Sequence, residues 1–200
     1  MKSVLPRFLC LCTAALAVLA KPITPEQDVM AHQDKVPGNN DARYDIVPKE
    51  DQIFKIDFLE IAPTPILANR IIFVYLRGNL PKSAKKELAL PNEGLIDATL
   101  TVSLSAVYAD GTHDDEKAYT IPLKTTSFND LAHLTIRDAG GLQVEYMPSS
   151  DTTGILVDYV IPAMFLKSGT WTFKVDARLG DAENTCLFAM SLTQWLEGRL

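Results

Sequence analysis

The stretch IDATLTVSLSAVY, Ile96 to Tyr108, decides the fold class. Ile96, Ala98, Leu100, Val102, Leu104, Ala106 and Tyr108 share one parity, while Asp97, Thr99, Thr101, Ser103 and Ser105 share the other. A sustained period of two marks a half-buried strand, because successive side chains of a strand point to opposite faces. The same pattern recurs near the C-terminus, where Trp171, Phe173, Val175 and Ala177 alternate with Thr172, Lys174 and Asp176. Earlier in the chain Phe54, Ile56 and Phe58 alternate with Lys55, Asp57 and Leu59, until Ala62-Pro63-Thr64-Pro65 ends the ladder. The run from Arg70 to Leu76 is apolar on both faces, so its inward parity stays open.

Further strands are expected at Ala118 to Leu123, Leu142 to Met147, Ile155 to Ile161 and Cys186 to Thr193. Asp110-Gly111 reads as a turn, followed by a polar tip at His113 to Glu116. No helical period of any length intervenes. The expected fold is all-β: an immunoglobulin-like antiparallel β-sandwich of seven to eight strands.

Composition bounds the rest. The chain has 200 residues, 47% hydrophobic and 22% charged, enough for one core and short for two domains. Its formal net charge is -6, and removal of Lys2 and Arg7 with an N-terminal segment would take it to -8. So acidic a surface repels phosphate backbones, which argues against nucleic acid as a partner.

Residues 1–20 carry Lys2 and Arg7, an uncharged run from Phe8 to Ala20, and small side chains at Val18 and Ala20 before Lys21-Pro22. That is the form of a secretory signal peptide, its apolar run being too short to span a bilayer. Residues 21–35 are polar and proline-rich, and are expected to be a disordered leader or propeptide ahead of a domain over 36–200. His32, inside the leader, has no partner that would make it a ligand. Export of a soluble chain follows, to the outside or to a vacuolar or lysosomal lumen. Cys10 and Cys12 leave with the signal, so Cys186 is the single cysteine of the mature chain and no intrachain disulfide is available. Its apolar neighbours suggest a small buried side chain; a Cys186-linked dimer is the alternative to a monomer.

Motifs for catalysis are missing: there is no Gly-x-Ser-x-Gly, no Gly-rich phosphate loop ending in Lys-Ser/Thr, no His pair at ligand spacing and no Cys pair. His113 with Asp114, Asp115 and Glu116 reads as a solvated loop rather than a metal site, and His133 as a surface position on a strand. No enzyme activity, catalytic residue, metal or cofactor is expected. There is also no Asn-x-Ser/Thr sequon, only Asn184-Thr185-Cys186.

The order VPGNNDARYDI, FKIDFLEIAPTPILANRIIFVYLRGNL, an alternating strand and DYVIPAMFLKSGTWTFKVDARLGDAENTCLFAMSL resembles the ML (lipid-recognition) domain family over about residues 36 to 193. The likeness is strongest to the fungal-type phosphatidylglycerol/phosphatidylinositol transfer proteins, and extends to the Niemann-Pick type C sterol carrier. Pro63, Pro65, Gly78, Ile161-Pro162, Gly169, Trp171, Gly180 and Cys186-Leu187 match family landmarks, whereas Ile66 and Asn69 stand where Pro and Gly are usual. Asn tolerates a left-handed backbone, so that turn can persist. Six cysteines are usual in the family. Only Cys186 remains here, with Tyr44 or Asp45 near the first position and Ala132 near a middle one. Each lost disulfide removes ~2 to 4 kcal/mol unless something replaces it.

The resemblance implies a lipid-binding or lipid-transfer protein that holds a phospholipid, fatty acyl chain or sterol between its sheets and touches membranes transiently. Cavity-lining candidates are Phe54, Ile56 and Phe58, then Leu100, Val102 and Leu104, then Trp171, Phe173 and Val175. Alternation alone is equally compatible with a filled core, and hence with a secreted β-sandwich interaction module that has no lipid ligand.

Overall fold

The computed structural model describes residues 35–149, 151–180 and 184–199; the signal and leader expected over 1–35 lie outside these apart from Lys35. The strands are β1 (Gly38–Asn39), β2 (Lys55–Ala62), β3 (Ile71–Leu80), β4 (Thr99–Tyr108), β5 (His113–Pro122), β6 (Thr126–Asn129), β7 (Ala132–Arg137), β8 (Gln143–Val144), β9 (Asp151–Val160), β10 (Gly169–Arg178) and β11 (Cys186–Leu196). One sheet runs β1-β2-β3-β9-β7-β6 with β8 paired to β7, and the other runs β11-β10-β4-β5. Every ladder is antiparallel except β1 with β2. The all-β sandwich expected from the alternation is therefore the architecture, with eight strands of six or more residues and three shorter ones.

Several local readings change. Strand β4 begins at Thr99, and Ile96 is exposed, because the chain turns at 95–98 to reach the sheet. His113 to Glu116 are not a tip but the first residues of β5, paired back to Val107 and Ala106. The stretch Leu142 to Met147 yields only β8, and β6 is an edge strand without an alternating signal. Among the described residues one six-residue α-helix, α1 (Lys82–Glu87), interrupts the β pattern; Lys85 and Lys86 in its last turn lie at the negative end of its dipole. In β3, Ile72 and Leu76 are buried while Ile71 and Phe73 stay exposed, which settles the parity left open by the sequence.

The two ends of the sandwich differ. The connections β2–β3, β4–β5, β6–β7 and β9–β10 gather at one end, called here the upper end. The lower end is plugged by buried Leu80, Leu95, Leu123 and Met147, pinned by Leu95 N–H to Met147 O at 2.8 Å and Leu123 N–H to Ala98 O at 2.8 Å.

One long side is closed as well. The segment from Val36 to Phe54 crosses from the β2 edge to the β11 edge. Gly38 allows the first half of that crossing: its φ is +119°, and a Cβ there would lie 2.1 Å from Leu59 O. Pro37 O accepts from Leu59 N–H at 2.7 Å and Asn40 Nδ2 donates to Leu59 O at 2.9 Å. Farther on, Arg43 and Ser191 exchange backbone bonds at 2.9 Å, Gln52 bonds both backbone groups of Ala189, and Phe54 N–H reaches Leu187 O. These contacts satisfy the free edge of β11, which would otherwise offer unpaired donors and acceptors. The opposite long side stays open, since β5 pairs only with β4 and β6 only with β7.

Candidate functional site

Between the sheets lies a cavity of about 790 Å3. It falls within the ~300 to 1,000 Å3 range of small-molecule sites. One wall is built by alternate residues of the four-stranded sheet: Leu100, Val102 and Leu104 on β4, Trp171, Phe173 and Val175 on β10, Phe188, Met190 and Leu192 on β11, and Ile121 on β5. The facing wall comes from Leu59 and Ile61 on β2, Ile72, Val74 and Leu76 on β3, Leu134 on β7, and Ile155 and Val157 on β9. The alternation that defines each strand thus delivers its apolar parity to one shared volume.

Six of the nine sequence candidates line it: Leu100, Val102, Leu104, Trp171, Phe173 and Val175. Phe54, Ile56 and Phe58 do not. A bulge between Ile56 and Phe58 shifts the parity of β2 by one residue, so Leu59 and Ile61 turn inward in place of Phe58. The Phe58 ring sits instead 5.8 Å from the Arg77 guanidinium. Phe54 and Ile56 are buried outside the lining, Phe54 packing 5.7 Å from Phe188 and over Gly78, where a Cβ would lie 2.6 Å from its ring. Of the liners the sequence did not yield, Phe188, Met190 and Leu192 alternate with Ala189, Ser191 and Thr193 and could have been found. Those of β3 could not, because both of its faces are apolar.

Residues that line the cavity and are also exposed mark its mouth: Tyr119 (60%), Phe128 (47%) and Tyr159 (44%). They open it on the free side between β5 and β6, with Phe128 and Tyr159 toward the upper end and Tyr119, opposite Val102, farther down. The lid over that end is tied down by polar contacts. Asn69 adopts φ +58°, and its Oδ1 accepts from Ala163 N–H at 2.8 Å while its own N–H donates to Ile161 O at 2.8 Å. The left-handed backbone expected at Asn69 is thus present.

Beside the cavity, at the upper end, Trp171 meets the Tyr108 ring edge-on at 6.0 Å, and Lys167 Nζ stands 4.9 Å from the centre of that ring. The Tyr108 hydroxyl donates to Asp114 Oδ2 at 2.7 Å, a bond that pushes the phenol up to about 12 and holds the Asp114 carboxyl below its usual range. Both groups keep their ordinary neutral-pH charge.

His133 sits on β7 opposite Asp158 on β9, with Nδ1 and Oδ2 2.6 Å apart. Both residues border the cavity beside Ala132, Leu134, Val157 and Tyr159, so this half-buried polar pair belongs to its rim toward the upper end. Cys186 is buried and unbridged, and burial, with Asp176 nearby, pushes its thiol up to about 11. A thiol held protonated at neutral pH is a poor nucleophile. Among the described residues no three His, Cys, Asp or Glu side chains converge on a metal position, and no helix is long and apolar enough to cross a membrane.

No family model and no curated protein matches the chain.

Proposed function

We propose that this protein is a lipid carrier of the secretory pathway, holding a phospholipid acyl chain, a fatty acyl chain or a sterol between its two sheets. The observation that carries the reading is the 790 Å3 cavity with aliphatic and aromatic walls from both sheets and a mouth on one side. The resemblance to the ML domain family adds to it, as do the signal-like residues 1–20. An apolar volume of this size is unfavourable when wet. Burying a sixteen-carbon chain there is worth roughly 0.8 kcal/mol per CH2, enough for micromolar binding after ordering costs. No Lys or Arg lines the cavity, and Asp158 at its rim is already paired with His133, so a charged head group has its place at the mouth and the apolar part inside. An interaction module with a filled core, the competing reading, has no use for that volume.

The test is native mass spectrometry of the mature protein purified from its own host, with organic extraction alongside. One bound lipid per chain, and uptake of a fluorescent fatty acyl or sterol probe after delipidation, is the expected result. A chain that carries no lipid and takes up neither probe overturns the proposal in favour of the interaction module.

A further inference from the structure

We infer that the upper end of the sandwich is a docking face for an electrically neutral lipid bilayer, positioned so that the cavity mouth opens against it. The inference rests on the carrier reading above and adds the surface through which the cavity would exchange its contents. Exposed large apolar side chains concentrate at this end: Leu67 in the β2–β3 connection, Phe128 on β6, Leu131 in the β6–β7 turn, Met164 in the β9–β10 connection and Trp195 near the end of β11. They come from four separate segments. Connections and edges are normally polar, and convergence of apolar tips from independent segments onto one surface marks an interaction site. Phe128 belongs both to this surface and to the cavity wall, so the surface is continuous with the mouth.

Charge selects the occupant. The exposed Lys, Arg, Asp and Glu side chains of the same end are Arg70, Lys167 and Arg199 against Asp110, Asp114, Asp115, Asp130 and Glu197, so this end, like the chain as a whole at -6, has no excess of positive charge. The end has no cationic field to hold an anionic membrane, and the acidic remainder repels one. A zwitterionic bilayer meets no such repulsion, accepts Leu, Met and Phe tips beneath its head groups and suits the indole of Trp195 at its interface. A second copy of the chain seated on this face would close the mouth rather than supply it.

Co-flotation with phosphatidylcholine vesicles, and with vesicles that also contain phosphatidylserine, tests the face directly. The wild type is expected to float with the neutral vesicles and less with the anionic ones. Leu131→Asp with Met164→Asp, both in exposed loops, should weaken flotation by about tenfold or more, since an acidic side chain resists burial at the interface. The same double variant should keep the wild-type thermal midpoint and take up a soluble fluorescent acyl probe as the wild type does. Probe uptake by a wild type that floats with neither vesicle overturns the docking face while the carrier reading stands. Equal flotation of wild type and double variant also overturns it, as does a wild-type dimer in sedimentation that the double variant breaks. Failure of the wild type to take up any probe removes the carrier reading and this inference with it.

Discussion

Gln194 on β11 grips both backbone groups of Ile66: its Oε1 accepts from Ile66 N–H at 3.0 Å and its Nε2 donates to Ile66 O at 3.1 Å. The register that pairs Gln194 with Trp171 sets the amide at the upper end of the inward face, where it reaches across to the β2–β3 connection. Ile66 itself is buried and lines the cavity. The amide therefore fixes the lid from the opposite sheet.

Gln194→Leu should remove both bonds and strand a partly buried N–H and C=O, at a cost of ~1 to 3 kcal/mol. Gln194→Glu keeps the acceptor and loses the donor, so its loss should be smaller or of mixed sign. Urea unfolding of the two variants would rank them. Equal stability of Gln194→Leu and wild type would show that water replaces the amide without penalty.

Phe54 and Phe173 allow a packed site to be compared with a cavity-lining one in the same molecule. Phe54→Ala removes a ring fitted against Phe188 and the Gly78 backbone and should cost ~3 to 5 kcal/mol. Phe173→Ala borders open volume, so on delipidated protein it should cost distinctly less and instead change probe affinity or chain-length preference. The paired unfolding free energies check this; a full core cost at Phe173 would argue that the sheets close on each other in solution.

Cys186 makes stability sensitive to alkali. Its folded thiol lies at about 11 against an ordinary value of 9.0, so the folded state holds a proton that the unfolded chain gives up. The stabilisation is complete below pH 9 and lost as pH rises toward 11, on the order of 2 to 3 kcal/mol in all. Cys186→Ala should flatten the decline over that window, and chemical denaturation at pH 8, 9.5 and 10.5 would measure it. At pH 8 the native thiol should react slowly with a thiol reagent, then stoichiometrically once the chain is unfolded in urea.

Gly38 and Gly111 both have positive φ, but their surroundings differ. A Cβ on Gly38 would meet Leu59 O at 2.1 Å, whereas nothing lies within 4 Å of one on Gly111. Gly111→Ala should therefore cost only the left-handed backbone penalty of ~1 to 2 kcal/mol. Gly38→Ala adds a backbone clash and should cost more, detaching the segment that covers the β11 edge. Thermal midpoints of the two variants would separate the contributions, and hydrogen exchange at Ser191 N–H would report the detachment.

The period-two runs at 99–108 and 169–178 made the sandwich legible, because alternation records which face of a strand is turned from water. The same runs correctly marked Leu100, Val102, Leu104, Trp171, Phe173 and Val175 as inward. Asn69 also carried its own backbone conformation, since Asn is among the few side chains that accept a positive φ. Alternation reports direction only. It does not register a bulge, and one extra residue between Ile56 and Phe58 was enough to exchange Phe58 for Leu59 and Ile61. Nor does it report what the inward face meets. Whether Val102 and Phe173 touch the opposite sheet or border 790 Å3 of open volume depends on how far apart the sheets stand. That spacing is set by the lower plug of Leu95, Leu123 and Met147, the Val36–Phe54 crossing along β11 and the Gln194 clamp on Ile66, all contacts between residues remote in the chain. Local sequence thus determined which side chains leave water, and long-range packing alone decided that the volume they surround stays open.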